Sequence, residues 1–137
     1  PSIMNPEQMQ LVQLLEQEVN HLNEQLRLID QNVFELNGLI ESLDAIEEEN
    51  SKEIVVNIGK KIFLPVEIKS RELIVDIGKN TLVKKSIPDT KTLIDEQLGK
   101  LSEGKGQVLE RLEELHKEME TMIAEIERQS GNKLYKG

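Results

Sequence analysis

The feature that most constrains this chain is a run of apolar residues spaced alternately three and four positions apart. In the first fifty residues the run has ten members without a gap: Val12, Leu15, Val19, Leu22, Leu26, Ile29, Val33, Leu36, Ile40 and Leu43. A 3.5-residue period sustained over this length keeps one apolar seam facing a partner helix, so it predicts a coiled-coil strand. Asn5-Pro6-Glu7-Gln8 predicts the helix start, with Asn5 as the N-cap and Gln8 reaching back to it.

A second run with the same period occupies the C-terminal part of the chain. Its members are Ile94, Leu98, Leu101, Lys105, Val108, Leu112, Leu115, Met119, Met122 and Ile126. One of these seam positions, Lys105, is polar. Pro88-Asp89 predicts the start of this helix, and Ser130-Gly131-Asn132 predicts its end.

Two seams of equal length are most simply buried by an antiparallel pair of helices. Facing residue numbers should then sum to about 134 or about 141, as expected when the a layers of one helix meet the d layers of the other. Both registers give eight apolar pairs. Lys105 would face Ile29 in the first register and Leu36 in the second, so the sequence leaves the register open.

Between the two seams the apolar period changes to two, which is typical of β-strands. Ile62, Leu64, Val66 and Ile68 alternate with other residues, and short β-branched runs occupy residues 54–58, 73–77 and 81–85. Turn residues separate these runs, so four strands in two β-hairpins are expected. Pro65 lacks a donor for a ladder, which predicts an edge strand or a bulge there.

Composition excludes several classes of function. The 137 residues include no Cys and three aromatic residues, too few for an ordinary compact enzyme core. Residues 1–50 carry a net charge of −10, residues 51–88 carry +4, and residues 89–137 carry −3. The acidic flanks disfavour nucleic-acid binding, and no apolar run could span a membrane. His21 and His116 lack converging ligands, and Gly104-Lys105-Gly106 is not a phosphate loop, so no metal, nucleotide or other cofactor is expected.

The hairpins raise a problem of burial, because an extended pair of helices has no side that can cover four strands. Isolated hairpins are marginal in water, and their open edges invite pairing. We therefore expect the strands to complete a barrel or sandwich with strands from other subunits. The cations of this region should keep its exterior soluble and blunt the strand edges. They are Lys60, Lys61, Lys69, Arg71, Lys79, Lys84 and Lys85.

This order of helix, two hairpins and helix resembles the alpha subunit of prefoldin, the archaeal-type prefoldin/GimC family. The resemblance covers nearly the whole chain and rests on Val55-Val56-Asn57-Ile58-Gly59, Phe63, residues 75–83 and Lys85-Ser86-Ile87. The family usually has Pro where this chain has Asn57, and more Gly where it has Lys60-Lys61. Two hairpins favour the alpha class, since beta-class subunits have one.

The resemblance implies an α+β fold in one domain over residues 1–137. An antiparallel two-helix coiled coil would be joined by two β-hairpins that complete an oligomeric β-barrel. The implied segments are an N-terminal helix over residues 5–50, hairpins over 53–86, a C-terminal helix over 88–130 and a tail over 131–137.

The resemblance also implies a function without catalysis or cofactor. Prefoldins are cytoplasmic, ATP-independent holdase chaperones. They hold non-native proteins at the tips of their coiled-coil arms, prevent aggregation and pass the clients to a group II chaperonin. The implied assembly is a hexamer of two alpha and four beta subunits, binding neither nucleic acid nor membrane. The alternative is a structural alpha-like prefoldin that forms filaments through its hairpins.

Apolar residues outside the seams cluster where an antiparallel pair brings the two termini together. These candidate client-binding residues are Met4, Met9, Leu11, Leu14, Ile123, Leu134 and Tyr135. Exposed apolar and Met side chains can adapt to many unfolded surfaces; the alternative is a frayed, partly buried helix end.

The candidate oligomerisation residues are the apolar positions of the hairpins. They are Ile54, Val56, Ile58, Ile62, Phe63, Leu64, Val66, Ile68, Leu73, Val75, Ile77 and Leu82.

Three glycines, Gly99, Gly104 and Gly106, weaken the second helix. They indicate either a hinge at residues 102–107 that lets the arm splay around clients, or a local kink or close packing against Phe34.

Overall fold

Two long helices flank four short strands in the chain order. The computed structural model describes the backbone of residues 4–48, 50 and 52–135, and side chains as far as residue 131. The elements are α1 (Pro6–Glu48), β1 (Glu53–Gly59), β2 (Ile62–Glu67), β3 (Leu73–Asp76), β4 (Leu82–Lys85) and α2 (Ile87–Tyr135). The predicted α+β order of helix, two hairpins and helix is confirmed. The chain divides into two compact units, which we call unit 1 (residues 1–31 and 101–137) and unit 2 (residues 32–100).

Both helices begin at polar caps. The Asn5 Oδ1 accepts a hydrogen bond from the Gln8 backbone N–H at 2.8 Å, and the Gln8 Oε1 accepts one from the Asn5 N–H at 3.0 Å. This reciprocal capping box confirms the predicted start of α1. Helix α2 begins at Ile87, one residue before the predicted Pro88, because Ser86 is its cap. The Ser86 Oγ accepts from the Asp89 backbone N–H at 3.1 Å.

The C-terminal end of α1 is held by a residue from further along the chain. Its last turn contains no basic residue, yet the Arg71 guanidinium donates to the Ile46 carbonyl. A cation there satisfies a carbonyl that lacks an intrahelical partner and complements the negative end of the helix dipole. Arg71, expected to be a solvated cation of the hairpins, thus ties the connection between β2 and β3 to the end of α1.

The predicted end of α2 at residues 130–132 is wrong, because the helix continues to Tyr135. A glycine that ends a helix takes a positive φ, and among the described glycines only Gly59 and Gly78 do so. Gly131 remains helical, at a cost of about 1 kcal/mol relative to Ala. The expected tail from residue 131 is therefore helical as far as residue 135.

The predicted seams are confirmed in both units. Every seam position of α1 and α2 is buried or half-buried. In unit 1, Leu15 and Ile126 are 6% and 5% exposed and Leu115 is fully buried. The helices run antiparallel, since Gln8 at the start of α1 donates from Nε2 to Gln129 Oε1 at 3.3 Å near the end of α2.

The register is the one in which facing residue numbers sum to about 134. In unit 1, Lys105 Nζ lies 2.7 Å from Asp30 Oδ1, which places Lys105 beside Ile29 and not beside Leu36. In unit 2, Lys91 Nζ forms an ion pair with Asp44 Oδ1, which is the same offset. Contacts between charged side chains thus identify the register that the apolar pattern left open.

The strands form two separate antiparallel hairpins, β1–β2 and β3–β4. Both turns are built from residues in the left-handed region: Lys60 and Lys61 have φ of 49° and 63°, and Lys79 and Asn80 have φ of 51° and 58°. Two consecutive positive φ angles are the requirement of type I′ turns, whose twist matches that of the flanking strands. The prediction of two hairpins is confirmed with these turns at their ends.

The first hairpin has an irregularity at Ile58, where the register shifts between Asn57 and Gly59. Of the two alternatives predicted for Pro65, the edge strand is confirmed and the bulge is not, because Pro65 pairs in register with Val55. In a two-stranded sheet each strand has a free edge, and a proline can occupy it without removing a ladder hydrogen bond.

The core of unit 2 lies where the helices meet the second hairpin. Leu43, Ile87 and Ile94 are each 3% exposed. The half-buried residues packed against them are Leu36, Ile40, Ile46, Leu73 and Leu98. Leu73 belongs to β3, so the second hairpin shares its core with the two helices of the same subunit.

Candidate functional site

A groove of about 550 Å³ opens in unit 1 between the first turns of α1 and the C-terminal part of α2. It is lined by Gln8, Leu11, Leu15, Lys117, Glu118, Thr121, Met122 and Glu125. We call it the terminal groove. Its lining combines three apolar side chains with five polar or charged ones, a mixture that suits a site binding apolar groups from water.

The candidate client-binding residues fall into three groups. Leu11 lines the terminal groove. Met9, Leu14 and Ile123 are 41%, 55% and 52% exposed on the same unit but do not line the groove. Met4 is half-buried. The side chains of Leu134 and Tyr135 lie outside the described residues.

The terminal groove also contains residues that the sequence did not single out. Leu15 and Met122 were assigned to the seams, yet both line the groove. The signal that could have identified them is their position near the end of the coiled coil, where the partner helix covers seam residues only in part. Client binding at this site would therefore use part of the seam itself.

Charged pairs join the two helices of unit 1 beside the groove. Arg111 donates from Nε to Glu18 Oε1 at 2.8 Å and from Nη2 to Glu18 Oε2 at 3.2 Å. This two-point hydrogen bonding lowers the pKa of Glu18 and raises that of Arg111. Since both side chains are about 40% exposed, their attraction is screened by solvent.

A second candidate surface is formed by apolar side chains of the hairpins. Eight of them are between 48% and 69% exposed: Val55, Ile58, Ile62, Phe63, Leu64, Ile74, Ile77 and Leu82. We call this set the hairpin surface. Exposed apolar residues at this density exceed what scattered surface residues account for, and they are typical of protein–protein contacts.

The structure separates the candidate oligomerisation residues into two classes. Six belong to the hairpin surface; the other six, Ile54, Val56, Val66, Ile68, Leu73 and Val75, are half-buried. Val55 and Ile74 are exposed members that the sequence analysis omitted. Their neighbours along β1 and β3 point to the opposite face, because side chains alternate along a strand. The hairpins are therefore apolar on both faces.

Neither a metal site nor a membrane span is found in the part of the chain that the structure describes. Among the described residues, no group of His, Asp and Glu side chains could hold a metal ion. None of the described helices has an apolar stretch that could cross a membrane.

Comparisons with known proteins agree with this arrangement. The solved cryo-EM structure of a filamentous PFD from Methanocaldococcus jannaschii has the same fold. The TM-score is 0.70 at 18% identity, covering 83% of this chain and 96% of that chain. A comparison with curated protein sequences finds no match.

The sequence of the chain identifies its family. The model of one family, described as prefoldin subunit, matches residues 15–132. This range takes in most of both seams and all four strands. The chain therefore belongs to the prefoldin family.

Proposed function

We propose that this chain is a subunit of an ATP-independent holdase chaperone. It binds non-native proteins at the terminal groove, keeps them from aggregating and passes them to a group II chaperonin. It acts in the cytoplasm as an alpha-class subunit, two copies of which assemble with four beta subunits through the hairpin surface. The proposal involves no catalysis and no cofactor.

The observation that carries this proposal is the group of apolar side chains at and around the terminal groove. Met9, Leu11, Leu14 and Ile123 are between 41% and 55% exposed, in a family of chaperone and structural proteins. Unfolded clients expose apolar side chains of varied shape, and burying these against the groove is favourable by about 25 cal/mol per Å². A flexible Met beside a preformed groove can adapt to such variety.

The test is a triple substitution, Leu11→Ser, Leu14→Ser and Ile123→Ser, in the hexamer assembled with a beta-class subunit. We expect the apparent Kd for an unfolded client to rise by at least about tenfold, because three apolar anchors are lost. Light scattering of a chemically denatured client, diluted into buffer with each hexamer, measures the suppression of aggregation.

A matched control removes three leucines of similar, slightly lower exposure elsewhere. Leu28, Leu39 and Leu109 are 47%, 44% and 47% exposed, and their replacement by Ser should leave client holding unchanged. Native mass spectrometry should find both variants as hexamers. If the variant with Ser at positions 11, 14 and 123 suppresses aggregation as well as the unmodified hexamer, clients do not bind at or around the terminal groove.

A structural filament is the second candidate function, favoured by the open hairpin surface and by the likeness to a filamentous PFD. The same exposed strands could close into a ring with beta-class partners or propagate without closure. Native mass spectrometry and electron microscopy of the chain alone, and with a beta-class subunit, separate the two. Discrete hexamers that hold clients support the chaperone. Fibres that form in both mixtures and hold no client support the filament.

Both functions require the hairpin surface for assembly. Replacing Ile58, Ile62 and Leu82 with Lys should abolish stable oligomers, since each position is at least 59% exposed and would carry an unpaired charge into the contact. Size-exclusion chromatography with light scattering measures the loss. The control introduces Lys at Leu28, Phe34 and Leu39, exposed apolar positions of α1. Oligomers that survive in the hairpin variant would assign assembly to another surface.

A further inference from the structure

Among the described residues, three ion-pair sites connect α1 with α2. In unit 1, Lys105 Nζ lies 2.7 Å from Asp30 Oδ1, and Arg111 Nε lies 2.8 Å from Glu18 Oε1. In unit 2, Lys91 Nζ forms an ion pair with Asp44, and it also lies 2.8 Å from Glu47 Oε1. Each of these three α2 cations therefore has an acidic partner on the facing helix.

Moving the helices past each other by one heptad removes all of these partners. In the register whose facing numbers sum to about 141, the position of Asp30 is taken by Asn37 and that of Glu18 by Gln25. No residue of α1 would take the position of Asp44, because α1 ends at Glu48. A shift in the opposite direction is equally unfavourable, because Asn23, Leu11 and Asn37 then replace Asp30, Glu18 and Asp44.

We infer that these three ion-pair sites select the register of the coiled coil. The apolar seams cannot do so alone, because the registers at 134 and 141 have equal numbers of apolar pairs. When the free energy of apolar burial is the same in two registers, smaller contributions decide which register is more stable. An exposed ion pair favours its own arrangement by only a few-fold, but three acting together favour it by about tenfold or more. Buried polar contacts select register in other coiled coils by the same logic.

The register determines which residues form the terminal groove. In the observed register Leu11 and Leu15 lie beside Met122, whereas in the shifted register Leu15 would face Ile126. The charged residues of the ion-pair sites are therefore positioning residues for that groove. They are Asp30, Lys105, Glu18, Arg111, Asp44 and Lys91. The inference concerns how the helices pair, and it holds whether or not clients bind there.

The experiment uses cysteine cross-links, for which the chain is well suited because it contains no Cys. Leu22→Cys with Leu112→Cys reports the observed register, and Leu22→Cys with Met119→Cys reports the shifted one. Each pair is placed in the full-length chain and oxidised, and the cross-linked fraction is read by gel under non-reducing conditions. The ratio of the two fractions reports register and is insensitive to overall stability.

The acids are then removed with little change of shape, by Glu18→Gln, Asp30→Asn, Asp44→Asn and Glu47→Gln. We expect the ratio of shifted to observed cross-link to rise by about tenfold. A control with the same loss of charge, Glu7→Gln, Glu16→Gln, Glu24→Gln and Glu41→Gln, should leave the ratio unchanged. Among the described contacts, these four acids make no ion pair with α2.

Two further measurements keep the test decisive if the fourfold variant folds poorly. Exchanging one pair, Asp30→Lys with Lys105→Asp, should retain the observed register, whereas Lys105→Asp alone should weaken it. High salt should raise the shifted cross-link in the otherwise unmodified chain, because screening weakens exposed pairs. If neither neutralisation nor salt changes the ratio, packing around Leu43, Ile87 and Ile94 fixes the register, and the inference is wrong.

Discussion

Replacing Leu115 with Ala is expected to lower the free energy of unfolding by about 2–5 kcal/mol, the range for removing a buried leucine side chain. Leu115 is fully buried at a seam position of α2 in unit 1. Its neighbours cannot close the resulting space without breaking the spacing of the seam. The variant therefore loses the favourable free energy of burying the removed atoms, and the cavity that remains adds a further cost. Denaturant titration followed by far-ultraviolet circular dichroism measures the effect.

The matched control is the same substitution at Leu109, which is 47% exposed on the same helix. Leu109→Ala should change the free energy of unfolding by no more than about 0.5 kcal/mol, the usual range for surface substitutions. Equal effects at the two positions would mean that the seam is not the main source of stability in unit 1.

Replacing Gly99, Gly104 and Gly106 together with Ala is expected to raise the free energy of unfolding by about 3 kcal/mol. All three lie within the continuous helix α2, and a Cβ added at any of them would meet nothing within 4 Å. The alternative of close packing against these glycines is therefore wrong. Phe34, suggested as the packing partner, is 80% exposed. Each substitution gains about 1 kcal/mol of helix propensity without a steric cost.

Gly59 and Gly78 provide the opposite case, since their φ angles are +130° and +97°. Alanine there should destabilise the hairpins, because an L side chain rarely adopts these conformations. If the α2 glycines form a hinge, amide exchange at residues 102–107 should be faster than in neighbouring turns, and the triple alanine variant should remove the difference. A triple variant no more stable than the unmodified chain would contradict the propensity argument.

The elements of the fold that could be predicted are those encoded by local pattern. The step of three and four residues identifies both helices and every buried seam position, because one period places all of these side chains on one face. The change to a period of two identifies the four strands. Asn5 and Gln8 identify the start of α1, since the reciprocal bonds of the capping box need only a spacing of three.

What could not be predicted depends on residues far apart in the sequence. Arg71 reaches a carbonyl 25 positions earlier, and nothing in the local pattern distinguishes it from the lysines around it. Leu73 has the same period as its neighbours, yet it packs against the helices. For the candidate site, sequence identified exposed apolar residues near the termini. The groove itself depends on the offset between α1 and α2, which the apolar residues alone leave undecided.

The antiparallel pairing has a consequence for how the chain is made. Gln8 contacts Gln129, a separation of 121 residues, so the first turns of α1 lack this partner until residue 129 has been synthesised. At about 5–20 residues per second, the ribosome needs roughly 6–24 s to cover that distance. During this time the first seam residues of α1 lack their partners on α2, while each hairpin can already pair locally. A nascent subunit of this kind is thus exposed, for some seconds, to the same aggregation that we propose the finished assembly prevents in others.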